Sequence, residues 1–259
     1  MSDNSKPIIL AENIYELGTP TATDTDTDTD YSALHIKDRR TYTCWKAASA
    51  GTKYLTINAG SAVTADALGI IGHNLATVAA AVSVECSSDN FSADTTEALA
   101  AFTPATDKAI LKIFTSKEKQ YWRITLAGCT AAPMVAVVFL GDRVTFPRYP
   151  SGNFDPFPEE IVSESNRGKT GHLLGSVIRY ISAKISVSFR QILPAWIESD
   201  FRPLWDDYLS QLYPVFWAWE VTNHPSDVYF VKVPDNFRLM MPFDPYRRSI
   251  SLIFDGVKE

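Results

Sequence analysis

Residues 65–75 read Ala65-Asp66-Ala67-Leu68-Gly69-Ile70-Ile71-Gly72-His73-Asn74-Leu75. This is a short apolar run closed by a turn. Leu68, Ile70 and Ile71 are core residues of a strand. Gly72 permits a backbone conformation that other residues avoid. His73 and Asn74 can bond neighbouring main-chain groups there. Gly72, His73 and Asn74 therefore predict a structural turn, with His73 structural rather than catalytic.

Similar short runs lie on both sides. Residues 52–58 alternate, with Leu55 and Ile57 on one face. Stretches 81–86, 109–114, 120–126 and 134–140 are rich in Val, Ile, Leu and aromatics, and Gly, Asn, Asp and Pro punctuate them. Many short strands at this spacing predict an antiparallel sandwich or barrel over residues 31–145. A doubly wound nucleotide fold needs long amphipathic helices between strands, and this region has none.

The first thirty residues differ. Thr23 to Asp30 read TDTDTDTD, a low-complexity acidic run that predicts a solvated arm over residues 1–30. The alternating aspartates resemble the start of an EF-hand calcium loop. That loop needs Gly at its sixth position and Glu at its twelfth, and here those places hold Thr29 and His35. The hydrophobic tip Ile8–Leu10 gives the arm a means of reaching a neighbouring subunit.

Residues 146–175 read as a connector, with Pro147, Pro150, Pro156 and Pro158 stiffening its first half and a polar stretch following. After it the pattern changes. Val177, Ile181, Ile185, Val187 and Phe189 share a parity along one long strand. Ile197, Phe201, Leu204, Trp205, Tyr208 and Leu212 recur at helical spacing, with Ser199 as N-cap. Strands follow at 215–221, 228–233 and 249–254. The fold class expected is mainly β: a sandwich, then a smaller α+β domain over 176–259 with one helix on an antiparallel sheet.

Sites of reaction chemistry are hard to find. Gly168-Lys169-Thr170 matches the end of a phosphate loop, but Ser163 stands where its first glycine belongs. Its expected form is a basic turn. His35, His73, His172 and His224 are scattered without zinc-hydrolase spacing. No nucleophile elbow appears. The pairs Asp206-Asp207 and Glu159-Glu160 read as solvated faces. The expectation is no catalytic residue, no metal and no cofactor. Cys44, Cys86 and Cys129 are too dispersed for a disulfide framework, which suits synthesis in a reducing cytoplasm. The 24 Lys and Arg against 30 Asp and Glu give a net charge of −6, which argues against nonspecific nucleic-acid binding. Residues 1–10 lack a secretory signal pattern, and no run is long enough to insert in a membrane.

Aromatic residues are in excess. Trp196, Trp205, Phe216, Trp217 and Trp219 are candidates for a second core or an assembly interface. The functional alternative is a sugar-stacking platform.

The order of Trp45, then 53–60 (KYLTINAG), 65–75 (ADALGIIGHNL), 82–89 (VSVECSSD), Tyr121-Trp122-Arg123-Ile124 and 136–141 resembles the discoidin-type, galactose-binding-like sandwich of tailed-phage virion proteins. The resemblance covers residues 31–145. It departs from the family at Asn58-Ala59-Gly60, where Asp-Leu-Gly is common. Residues 172–259 more loosely resemble phage tail-tip domains, which build rings through strand edges and aromatic patches. The resemblance implies a non-enzymatic structural protein of a tail tip or baseplate. It would be made in the bacterial cytoplasm and located in the virion, with other tail proteins as partners and a homo-oligomeric ring as its assembly. An alternative is a carbohydrate-binding module touching host-surface saccharide. A cell-wall hydrolase is the third class, without a visible acid–base or metal constellation to support it.

Overall fold

The computed structural model describes residues 6–27, 29–152, 154–239, 241 and 246–257. The chain is mainly β. In chain order the strands are β1 (Ile8–Leu10), β2 (Thr21–Ala22), β3 (Trp45–Lys46), β4 (Gly51–His73), β5 (Ala81–Ser87), β6 (Thr96–Phe102), β7 (Ile110–Cys129), β8 (Met134–Gly141) and β9 (Arg143–Thr145). They continue with β10 (Glu159–Arg167), β11 (Leu173–Ile192), β12 (Val215–Ala218), β13 (Val228–Lys232) and β14 (Arg248–Val257). Two compact units share these elements. One comprises residues 1–145 and 216–228; the other comprises 146–215 and 229–258.

The first unit is an antiparallel β-sandwich whose main sheet runs β3-β8-β4-β7-β5-β6, with β2 added on β4. Two strands are much longer than the sequence pattern suggests. The runs at 52–58 and 67–71 belong to the single strand β4, and those at 109–114 and 120–126 to β7. β4 and β7 pair along most of their length, with register shifts between Asn58 and Val63 and between Ala65 and Ala67. Alternation lapses at residues 60–62, which are exposed. The ladder survives because bulges absorb the extra residues. Trp45, Trp122, Leu55, Leu68, Ile70, Ile124 and Leu140 are among the buried core residues.

The segment read as a reaching arm contributes core instead. Ile8, Ile9 and Leu10 are all fully buried, so β1 is covered on both faces. It lies between β9 and β12, pairing Ile9 with Val144 on one side and with Trp217 on the other. Three consecutive apolar residues fit such a doubly covered strand. Asn13 then ties the following turn down: its amide nitrogen donates to the Val138 carbonyl at 2.8 Å. The Tyr15 hydroxyl donates to the Leu55 carbonyl at 2.7 Å.

The acidic run also docks. Asp24 accepts from Lys53 at 2.7 Å and from Ser49 at 3.0 Å, and Asp26 accepts from Lys46 at 2.9 Å. The Trp45 indole donates to the Asp24 carbonyl at 3.2 Å. Paired lysines hold this segment against the sandwich, so it is not a free acidic tether. Asp28 of the run, and residues 1–5 of the expected arm, lie outside the described residues.

In the second unit β10, β11, β14 and β13 lie side by side, each antiparallel to its neighbour. Of the expected connector, 146–158 holds no strand among the described residues. Residues 159–167 are a strand, and the Gly168–Gly171 stretch is the hairpin turn joining it to β11. The Gly168 amide donates to the His172 carbonyl at 2.8 Å, and Gly171 takes φ +84°. No helix begins there, so the turn cannot serve as a phosphate loop.

One longer helical segment, 194–209, lies among the described residues. It starts at Pro194, earlier than a Ser199 cap allows; Ser199 sits inside it, its hydroxyl bonded to the Asp200 carboxylate. Pro203 therefore falls mid-helix, where it has no N–H to donate. The turns at 197–201 and 205–209 widen to π spacing, with Arg202 bonding back to the Ile197 carbonyl. Ile197, Phe201, Leu204 and Leu209 form its buried side.

Candidate binding site

The turn after β4 anchors one end of the sandwich. Gly72 has φ +67°, and a Cβ there would sit 2.6 Å from the Ala136 Cβ. The Leu75 amide donates to His73 Nδ1 at 3.2 Å, and Nε2 lies 2.9 Å from the Lys108 carbonyl. A nitrogen that accepts an N–H bond carries no proton, so the imidazole is the neutral Nε2–H tautomer. Burial pushes its pKa below the usual imidazole range, against the pull of the Lys108 carbonyl and Asp107. Asn74 accepts from the Met134 amide at 2.8 Å and donates to the Ala132 carbonyl at 3.2 Å. Both side chains are spent on backbone groups.

Asp107 completes this end. Its carboxylate accepts from the Ala76 amide at 2.7 Å and the Thr77 amide at 3.2 Å. That fixes the β6–β7 loop, which forms one wall of an open cleft of about 310 Å³. Phe102, Pro104, Lys108, Ile110, Lys112 and Ser226 line it. The Lys112 ammonium lies 4.8 Å from the Phe102 ring centroid. Neither lysine has a carboxylate within ion-pair distance among the described residues. The cleft thus offers an apolar floor, one ring and two cations. Its sequence signal is the stretch 102–112 (FTPATDKAILK), where two lysines four apart follow an aromatic and a proline. The sequence reading passed over it.

A second polar cluster on the sandwich is already satisfied. The Arg123 guanidinium lies 4.7 Å from the Tyr54 ring centroid and 4.0 Å from that of Phe91. It also pairs with Glu85 at 2.7 Å. Its charge is paired and two rings lie against it, so it serves as a cross-strand fastener.

The aromatic candidates separate. Phe216 and Trp217 are fully buried in the first unit; Phe216 packs edge-on to Phe139 at 5.3 Å. They are core and cannot present an interface. Trp219 is half-buried, with its indole donating to Asp227 at 3.3 Å and its ring 4.4 Å from that of His224. In the second unit Trp196 joins Phe146, Phe189 and Phe201, the first pair of phenylalanines stacking at 4.1 Å. Trp205 packs 6.1 Å from Phe237. Trp196 and Trp205 are each half-buried, and Trp205 lines an open cleft of about 260 Å³ with Phe201, Arg202 and Arg248.

The large uncovered apolar surface lies on the β10–β11 hairpin. No residue from Glu159 to Ile181 is buried. Leu174 is 72% exposed, Val177 64%, Ile161 61%, Ile178 59% and Tyr180 58%. The sequence showed the apolar residues, but read part of this region as a linker.

No group of three or more metal-capable side chains occurs among the described residues, and none of their helices is long and apolar enough to cross a membrane.

No protein-family model matches the chain, and no curated protein does. Solved structures similar to it include carbohydrate-binding modules and a Ruminococcus gnavus GH29 fucosidase, the latter matched over 27% of its own length. A chitosan-binding module of a Paenibacillus chitosanase/glucanase is 17% identical, with 50% of this chain and 98% of the module covered at a TM-score of 0.43. A CBM32 module of AlyQ, solved with 4,5-unsaturated mannuronic acid, is 23% identical over 47% of this chain and 92% of its own, at 0.40. A Clostridium perfringens CBM32 module, solved with GalNAc-β-1,3-galactose, is 12% identical over 51% and 99%, at 0.43.

Proposed function

We propose that the chain is a non-catalytic binding and assembly protein, built into the tail tip or baseplate of a tailed phage. The observation that carries the assembly role is the β10–β11 hairpin, where seven large apolar side chains between Ile161 and Ile181 are exposed. A folded chain rarely leaves so many large apolar side chains together in water unless a partner covers them. The virion context comes from the sequence resemblance. Locating the chain in an electron-microscopy map of intact particles tests it. The expected result is density for the chain at the tail tip, with the hairpin in contact with other protein. A chain missing from purified virions overturns the reading.

A second reading gives the sandwich a carbohydrate ligand, and the β6–β7 cleft favours it. A ring beside an apolar floor suits the C–H face of a sugar, and Lys108 and Lys112 suit an acidic one. Titration with uronic-acid oligosaccharides should give saturable binding that Lys108→Ala with Lys112→Ala removes. Binding unaffected by that double variant removes the cleft from consideration. No turnover belongs to either reading, so a peptidoglycan zymogram should show no clearing.

A further inference from the structure

The β10 strand ends its sheet, with β11 on one side and, among the described residues, no strand on the other. A two-stranded ribbon is only marginally stable in water by itself. This one carries apolar side chains on both faces: Ile161, Ile178 and Ile181 on one, Val162, Val177 and Tyr180 on the other. Exposed edge strands are usually guarded by proline, by a central lysine or by a covering loop. Residues 159–167 (EEIVSESNR) contain no proline and no lysine.

The charges at the two ends of the strand differ in sign, while the central Glu164 is already paired with Arg179 of β11. Glu159 and Glu160 stand at its start, Arg167 at its end, and Lys169 two residues further on. Beside a parallel copy of itself, this strand sets like charge against like. Beside an antiparallel copy, the acidic end of each meets the basic end of the other. A register centred on Ser163 places Glu159 opposite Arg167, twice by symmetry. Opposite charges facing across strands stabilise a sheet, and like charges destabilise it.

We infer that the outer edge of β10 pairs antiparallel with the same edge of a second copy of this chain, making a four-stranded β11-β10-β10-β11 ribbon. The contact is two-fold and self-complementary, so it closes on a dimer and does not propagate as a fibre. This inference rests on the assembly reading above, in that it names the partner of the same hairpin.

Sedimentation of the full chain over a concentration series tests it, with three variants. They are Glu159→Lys with Glu160→Lys, Arg167→Glu with Lys169→Glu, and all four together. These side chains are exposed, so circular dichroism should show every variant folded. The wild type should dimerise. Each paired reversal should weaken association by about tenfold, and the fourfold variant should recover it, because only the swap restores opposite charges across the edge. A chain monomeric at every concentration overturns the inference. So does dimerisation indifferent to the reversals, or a fourfold variant as weak as either pair. A wild type that dimerises with this charge pattern yet is absent from virions retains the inference and removes the tail-tip role. A chain present in virions but monomeric in solution, with β10 not paired to a copy of itself, does the reverse.

Discussion

One strand, β11, has two halves of similar composition and opposite fates. Along 183–189 its side chains alternate, with Ala183, Ile185, Val187 and Phe189 buried and β14 alongside. Along 173–181 the strand is at least as apolar, carrying Leu173, Leu174, Val177, Ile178, Tyr180 and Ile181, and every residue is exposed. β14 reaches only as far as Ser182 on β11. Beyond it no further strand on that side and no covering layer occurs among the described residues. Apolar content makes burial favourable; it does not supply the surface that does the burying.

Substitutions at matched sites can break that contrast. The largest effect is expected in the fully covered sandwich, where Phe216→Ala should destabilise the first unit by about 3–5 kcal/mol in chemical denaturation. On the buried half of β11, Ile185→Ala should cost about 2–5 kcal/mol. On the exposed half, Ile178→Ala should stay within about 0.5 kcal/mol, with any larger effect appearing in association. Equal losses at Ile185 and Ile178 would mean that the hairpin is covered within a single chain. Hydrogen exchange sharpens the same comparison: amides at 183–189 should be protected well beyond those at 173–181 in the monomer.

The smallest effect expected is a pH dependence at the sandwich turn. Burial holds the His73 pKa below its ordinary value of 6.5. The unfolded chain therefore takes up a proton at a pH where the folded chain does not. Stability from His73 is complete above about pH 6.5 and is lost as pH falls towards its folded pKa. Substituting Gln for His73 should flatten that part of the stability curve. A slope unchanged in this variant would assign the titration elsewhere.

Much of the β content was legible, and the reason is physical. Leu55 with Ile57, and Val82 with Val84, alternate because one face of each strand meets the core. The Gly72-His73-Asn74 turn could be read because a positive φ and local backbone bonding demand those residue types. Strand length could not be read in the same way. β4 and β7 continue through exposed stretches where periodicity vanishes although pairing does not. Ile8–Leu10 was too short to announce a doubly covered strand, and Asp24 and Asp26 looked solvated because their lysine partners lie about twenty or more residues away in sequence. The cleft had a local signal in Lys108 and Lys112, but its Ser226 wall comes from a distant part of the chain.

By itself, the sequence determined the local conformations: strands where apolar residues alternate, a turn at Gly72, and a helical run carrying Ile197, Phe201 and Leu204. Those follow from backbone sterics and side-chain period, which act over a few residues. Tertiary structure alone decided that Phe216 and Trp217 are core, that the acidic run is docked, and that residues 159–181 remain uncovered. Burial and charge pairing depend on what packs against a residue, and that neighbour is often a hundred or more positions away.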